Sequence, residues 1–402
     1  MELDILLAHP LKHHVFNLAV GCQNTGLDIK LITPVYKKSW LKLLSFLPGS
    51  AGKKLDGYHY VKLESKNVIT PLYWQLRRLL SKEDVANFQE AFDCYVANQI
   101  TKLKFKPKVL VTLQDYMPRT VQAAKDKGIL IWSDQILNRS LAARNILKSN
   151  LIEAGLKFED KYSEIHNTNI LENASLVTAA CRYTVKGIAD RVNKNCLIKI
   201  IEYGVDESKF CVMDNLSNDK TIKIVARANS VRKGGHILID ALANIGTELI
   251  TAANNKQIEI TIIGALDTVV SKKLASLHLP EGISICSKII PNTQMPVEFS
   301  KSQLFLMPSL SEGMSLMCVE AMQMGLPMLI TEECGVDCFI DGEMGVEIKP
   351  SVESISEALL YAFNHQDKWN AWGDKCIEKA KLLTWDIYET KIKNAALTII
   401  NG

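Results

Sequence analysis

No stretch of the 402 residues approaches the roughly 18 consecutive apolar positions needed to cross a bilayer, so no transmembrane helix is expected. The first ten residues mix Glu2 and Asp4 among apolar ones and lack a basic leading segment, so no secretory signal is expected either. Ten cysteines are scattered along the chain, and the close pair Cys334 and Cys338 lacks the Cys-x-x-Cys spacing of zinc and redox sites. These absences suit a cytoplasmic protein with reduced thiols and no bound metal. Internal repeats and low-complexity tracts are also missing, which excludes solenoid and array architectures.

What is present is the composition of a folded enzyme, with 47% hydrophobic and 23% charged residues. A chain this long is expected to form two domains of roughly 150–200 residues, each able to bury its own core. The net charge of +3 is unevenly spread: residues 1–110 hold sixteen of the 47 Lys+Arg but only nine of the 44 Asp+Glu. That basic half suits an anionic acceptor or surface, although solvated lysines on helix faces would produce the same excess.

Short apolar runs alternate with helical stretches. Strands are expected at 3–8, 29–33, 108–112, 128–132, 174–179 and 197–201, with helices at 118–127 and about 182–191 among them. A polar stretch at 204–220 then breaks the pattern and reads as a linker. Beyond it the alternation restarts, with strands at 222–226, 258–263, 283–289, 304–307 and 328–330 and a helix from Gly234. Alternating strands and helices imply parallel sheets covered on both faces. The expected fold is therefore α/β, with two doubly wound Rossmann-like domains facing across a cleft. The first domain would span 1–203 and the second 221–384, and an amphipathic helix at 385–402 would pack back on the first domain.

Ligands of doubly wound sheets bind outside the carboxyl ends of the strands. After the 304–307 strand comes Pro308-Ser309-Leu310-Ser311-Glu312-Gly313-Met314-Ser315, and a helix then begins near Leu316. Small residues let backbone approach a ligand closely, and the free N–H groups of a helix start favour an anion. Glu312 falls in the loop and Glu320 about two turns into the helix, where ionised carboxylates could accept hydrogen bonds from sugar hydroxyls. The plainer alternative has Glu312 capping the helix and Glu320 on the surface. At the end of the 222–226 strand stands Arg227, and Lys233 follows before Gly234-Gly235. Two cations there could stabilise the charge on a departing diphosphate; Arg232 competes with Lys233 for that place, and all of them could instead be surface cations.

Taken in order, Val225-Ala226-Arg227, Lys233-Gly234, Pro308 to Gly313, Glu320-Ala321-Met322 and Gly325-Leu326-Pro327 resemble the GT-B glycosyltransferases of family 4. Glu312 and Glu320 match that family's Glu-x7-Glu spacing, and Tyr203-Gly204-Val205-Asp206 with Phe210 is similar to its linker segment. The resemblance implies a retaining, metal-independent transferase that needs no cofactor and uses a nucleotide-sugar donor. It implies that Arg227, Lys233 and Glu312 are catalytic, with the cations on the diphosphate and Glu312 on the transferred sugar. It places the ribose on Glu320 and gives the backbone of Gly313, Met314, Ser315 and Leu316 to the donor. A front-face mechanism, in which the leaving phosphate takes the acceptor's proton, goes with this picture. No Asp-x-Asp is present.

The sequence departs from that family at three places. Gly313-Met314-Ser315 replaces a frequent Gly-Phe-Gly, Ala8-His9-Pro10 stands where a glycine pair is common, and Ser133-Asp134 where a histidine often follows an inner strand. His9, His13 and Asp134 are the acceptor-side candidates, with packed or solvent-facing histidines as the alternative. At 37–47, Trp40, Leu43, Leu44 and Leu47 recur at helical spacing among lysines, which fits either a helix on the cytoplasmic membrane face near a lipid-linked acceptor or a lid or core helix. No nucleic-acid partner is expected. A nucleotide-sugar epimerase and a non-catalytic sugar-nucleotide binder remain open on the same architecture.

Overall fold

The computed structural model of the protein describes residues 2–11, 14–36, 60–80, 83–102, 104–114, 116–138, 140–157, 169–212 and 220–402. His13 and the 37–47 segment lie outside the described residues.

Two parallel sheets form the frame. The first contains β1 (Glu2–Ala8), β2 (Ile29–Ile32), β3 (Val68–Ile69), β4 (Lys106–Leu113), β5 (Leu130–Gln135), β6 (Leu176–Ala179) and β7 (Leu197–Ile200), in the order β3-β2-β1-β4-β5-β6-β7. The second contains β8 (Thr221–Ala226), β9 (Gln257–Ile263), β10 (Ile283–Lys288), β11 (Leu304–Met307), β12 (Met328–Thr331) and β13 (Gly345–Ile348), in the order β10-β9-β8-β11-β12-β13. Every pairing is parallel. The central strands β1, β4, β8 and β11 are apolar and buried on both faces, as helices covering both sides of a sheet require. Strand order reverses between β1 and β4 in one sheet and between β8 and β11 in the other, and each reversal opens a crevice at the strands' carboxyl ends.

Several elements differ from the sequence reading. Strand β5 is shifted forward, from 128–132 to Leu130–Gln135, because Gly128 takes a left-handed turn (φ +68°) and the polar Ser133, Asp134 and Gln135 stay in register with Val177, Thr178 and Ala179. The helix at 182–191 stops at Lys186, with Gly187 as its cap. Strands β3 and β13 were not anticipated: β3 has two residues, and β13 is a four-residue edge strand on which only Gly345 and Ile348 are buried.

The chain crosses between the sheets twice, side by side. Val205 N–H donates to the Leu383 carbonyl at 2.9 Å and pairs with Thr384. A Cβ on Gly204 would lie 2.2 Å from the backbone of Thr384 and Trp385, so only glycine fits there. The C-terminal helix Trp385–Asn401 then returns to the first sheet and packs on the helix Val15–Gln23. Contact is so close that a Cβ on Gly21 would fall 2.5 Å from the Ile392 side chain.

Candidate active site

The cationic side of the site is built at the second sheet's crevice. After β8, Arg227 donates from Nη1 to the Ile263 carbonyl at 2.6 Å, against Gly264, whose φ of +109° leaves room for the guanidinium. Burial pushes the Arg227 pKa down, and Glu312 pulls it back up. Ser230 then caps a short turn by accepting from Lys233 N–H at 3.3 Å, and Gly234 closes the turn in the left-handed region with φ +71°. A Cβ on Gly234 would sit 1.9 Å from the Pro308 carbonyl, so glycine lets the β8 turn lie directly on the β11 loop.

From the β11 loop, Glu312 reaches back to that turn. Its Oε1 forms ion pairs with both Lys233 and Arg232 and accepts from the Ser309 hydroxyl at 3.1 Å. Lys233 and Glu312 have side chains only 9% and 13% exposed, whereas Arg232 is 43% exposed. Both cations therefore meet the same carboxylate, with Lys233 the buried one. Burial lowers the Lys233 pKa, and the facing Glu312 opposes that fall. Arg232 also donates to the Ser311 carbonyl at 2.7 Å, which braces the loop.

Glu312 and Glu320 face different groups. Glu320 lies on the helix Leu316–Gln323, and burial raises its pKa to about 7 against the opposing influence of Lys209 and a hydrogen bond with Asn292. Ser315 occupies the N-cap position without capping: its hydroxyl donates to Met307 Sδ at 3.3 Å instead, so the first helical N–H groups are not taken by that side chain. Met314 is buried and its Sδ accepts from Tyr203 N–H at 3.1 Å, while Leu316 is exposed. A Cβ on Gly313 would lie 1.7 Å from the Ile136 carbonyl, so this loop closes directly on the first sheet. Cys181, after β6, donates to the Gly313 carbonyl at 3.4 Å from the same side.

On the first-sheet wall, the candidates separate. His9 is fully buried, edge-on to Tyr116 with ring centroids 5.2 Å apart, which places it in the packing beneath the crevice. Asp134 is buried at the end of β5, where its Oδ2 lies 2.6 Å from Nε2 of His14 and its Oδ1 accepts from the Thr178 hydroxyl. His14, which directly precedes the helix Val15–Gln23, was not among the sequence candidates. Its signal was present in the run Lys12-His13-His14 after β1, but the facing carboxylate lies 120 residues away. Among the described residues, no group of three or more His, Cys, Asp or Glu side chains is arranged to hold a metal ion, and no helix is long and apolar enough to cross a membrane.

Residues 219–365, which carry Arg227, Lys233, Glu312 and Glu320, match the family described as glycosyl transferases group 1. A D-inositol 3-phosphate glycosyltransferase of Corynebacterium jeikeium (strain K411) is 23% identical over 215 residues, covering 49% of this chain and 50% of the relative. The chain thus matches about half the length of that curated relative. Among solved structures, sucrose-phosphate synthase from Thermosynechococcus elongatus superposes with a TM-score of 0.69 at 15% identity, covering 99% of both chains. Anabaena HepE, in complex with UDP and glucose, superposes with a TM-score of 0.64 at 13% identity over 98% of this chain and 100% of its own. Likeness at such identities carries the fold alone. The chain has the two-sheet GT-B fold, and its residues 219–365 are similar to the glycosyl transferases group 1.

Proposed function

We propose that this protein is a glycosyltransferase that moves a sugar from a nucleotide-sugar, UDP- or GDP-linked, to a glycan or lipid-linked acceptor in polysaccharide or glycolipid assembly. The observation that carries this reading is the convergence of Arg227, Arg232 and the buried Lys233 on Glu312 where the strand order of the second sheet reverses. An anion enters such a crevice readily, and fixed cations in a poorly solvated site stabilise charge that develops on a leaving diphosphate. Arg227 and Lys233 take the diphosphate in this proposal, and the backbone of Gly313, Met314, Ser315 and Leu316 lines the donor. Glu312 holds the transferred sugar and Glu320 the ribose, each as an acceptor for hydroxyl groups. Retention of anomeric configuration belongs to the same proposal.

Thermal-shift screening with UDP, GDP, ADP and their sugar conjugates tests the donor, since a ligand that binds only the native state raises the melting temperature. Glu312→Gln and Lys233→Ala are expected to abolish transfer while leaving the circular dichroism of the folded chain intact. Wild-type rates in both variants would overturn the assignment. Conversion of a nucleotide-sugar to its epimer with no acceptor present would replace transfer by epimerisation.

A further inference from the structure

The first-sheet wall of the crevice carries a polar chain that the donor site does not use. Trp132 Nε1–H donates to Thr178 Oγ1 at 2.9 Å, and an indole N–H can only donate. The Thr178 hydroxyl, accepting there, gives its own proton to Asp134 Oδ1. Asp134 Oδ2 is left to face His14 Nε2 at 2.6 Å, with the two side chains only 5% and 6% exposed. A carboxylate at that distance holds the Nε2–H tautomer, which makes Nδ1 an acceptor. Among the described residues Nδ1 has no hydrogen-bond partner.

Two contacts tie this pair to the donor loop. The Tyr203 ring lies on the His14 imidazole with centroids 4.4 Å apart, and its backbone N–H is bound to Met314 Sδ. Ile136, two residues beyond Asp134, has its carbonyl against Gly313. The imidazole is thus joined through Tyr203 to Met314, on the loop that bears Glu312. A lone pair backed by a carboxylate repels a phosphate and welcomes an O–H group.

We infer that His14 accepts the hydrogen bond of the incoming acceptor hydroxyl and that Asp134 is its positioning residue, an assignment that rests on the transferase reading above. The hydroxyl oxygen bonds the donor sugar carbon as that carbon's bond to the diphosphate breaks and the nucleotide leaves, and the hydroxyl proton passes to His14 Nδ1 instead of to the leaving phosphate. Tyr203 from the crossover and Tyr388 from the C-terminal helix also pack on the ring, and burial pushes both hydroxyls far above their ordinary range. The Asp134 carboxylate is thus the charge that faces the imidazole from the described elements.

Release of UDP from UDP-glucose, with water as the acceptor, tests the assignment; GDP- and ADP-glucose serve the same purpose if thermal shift selects them. His14→Ala is expected to lower kcat on the order of 10- to 100-fold, the scale of one unsatisfied hydrogen bond, while the Kd for UDP stays within about twofold. Asp134→Asn is expected to lower kcat with the Kd for UDP unchanged and to reduce the share of the His14 Nε2–H tautomer, a readout that a merely structural role would not move. Nitrogen-15 NMR of histidine-labelled protein should show His14 as the Nε2–H tautomer. The Nδ1–H tautomer, wild-type turnover in His14→Ala, or a loss of UDP affinity in proportion to rate would overturn the assignment alone. If the wild type turns over none of the three donors, the transferase reading falls and takes this assignment with it.

Discussion

Replacing Glu312 with glutamine removes one charge and little shape, and the surroundings determine the consequence. Lys233 is only 7% exposed, and its ammonium meets the Glu312 carboxylate with little water nearby. Two unit charges about 4 Å apart attract by roughly 4 kcal/mol at an effective dielectric of about 20, and removing one partner of a buried pair costs about 3–5 kcal/mol. Glutamine keeps an oxygen for Ser309, and the more exposed Arg232 can turn to solvent, so the lower end, about 3 kcal/mol, is expected. For a domain of this size each kcal/mol moves the midpoint by about 2–4 °C, giving a fall of about 6–12 °C. UDP should then stabilise Glu312→Gln more than the wild type, because the diphosphate brings the negative charge that Lys233 has lost and no longer competes with a carboxylate for it. Differential scanning fluorimetry with and without UDP, backed by calorimetric titration, measures both effects. A variant that melts with the wild type, or one that UDP stabilises less, would refute the reasoning that Glu312 chiefly neutralises Lys233 and Arg232.

Three other outcomes are expected. Burial raises the Glu320 carboxyl from 4.5 to about 7, so between those values the native state binds more protons than the unfolded chain, and stability falls as pH rises through that window. Melting of Glu320→Gln should therefore gain on the wild type from pH 5 to pH 8 by about 2–3 kcal/mol, and parallel curves would contradict it. Gly313→Ala puts a methyl group 1.7 Å from the Ile136 carbonyl, so the sheets must part; solution scattering should give a larger radius of gyration with unchanged circular dichroism, whereas unchanged scattering means that the loop yields instead. For the 37–47 segment, liposome flotation compares the wild type with Trp40→Glu, and equal binding by both, or binding by neither, would remove the membrane reading.

The placement of the cationic half of the candidate site was legible in the sequence because it is local. Arg227, Lys233 and Glu312 each sit within a few residues of a strand end marked by an apolar run and followed by glycine, so strand-loop-helix order alone put them at one edge of one sheet. The opposite wall was not legible in this way. His14 and Asp134 meet only because β4 lies between β1 and β5, an order that no periodicity encodes. Asp134 was named as an acceptor-side candidate, but as a residue beyond a strand ending at 132, whereas Ser133, Asp134 and Gln135 continue the strand in register with β6. His9 was named for its place after β1 and His14 was not, yet His9 is packed against Tyr116, while His14 adjoins the next helix and faces Asp134. The contacts of Gly313 with Ile136 and Cys181 depend on how two separately folded sheets meet, which short-range patterns do not reveal.

The paired crossovers at Gly204 and Thr384 make the second sheet an insertion: its strands and helices fill the interval between β7 and the final helix, and the last seventeen residues of helix belong to the unit that starts the chain. During synthesis the inserted unit can finish folding while the first is still waiting for its terminal piece, the reverse of the usual amino-to-carboxyl order. Until that piece emerges, the groove on the helix Val15–Gln23 that receives Ile392 is bare, and the nascent protein carries an apolar stripe that a chaperone could cover. Loss of even the end of the chain would then be felt chiefly in the half of the molecule made first.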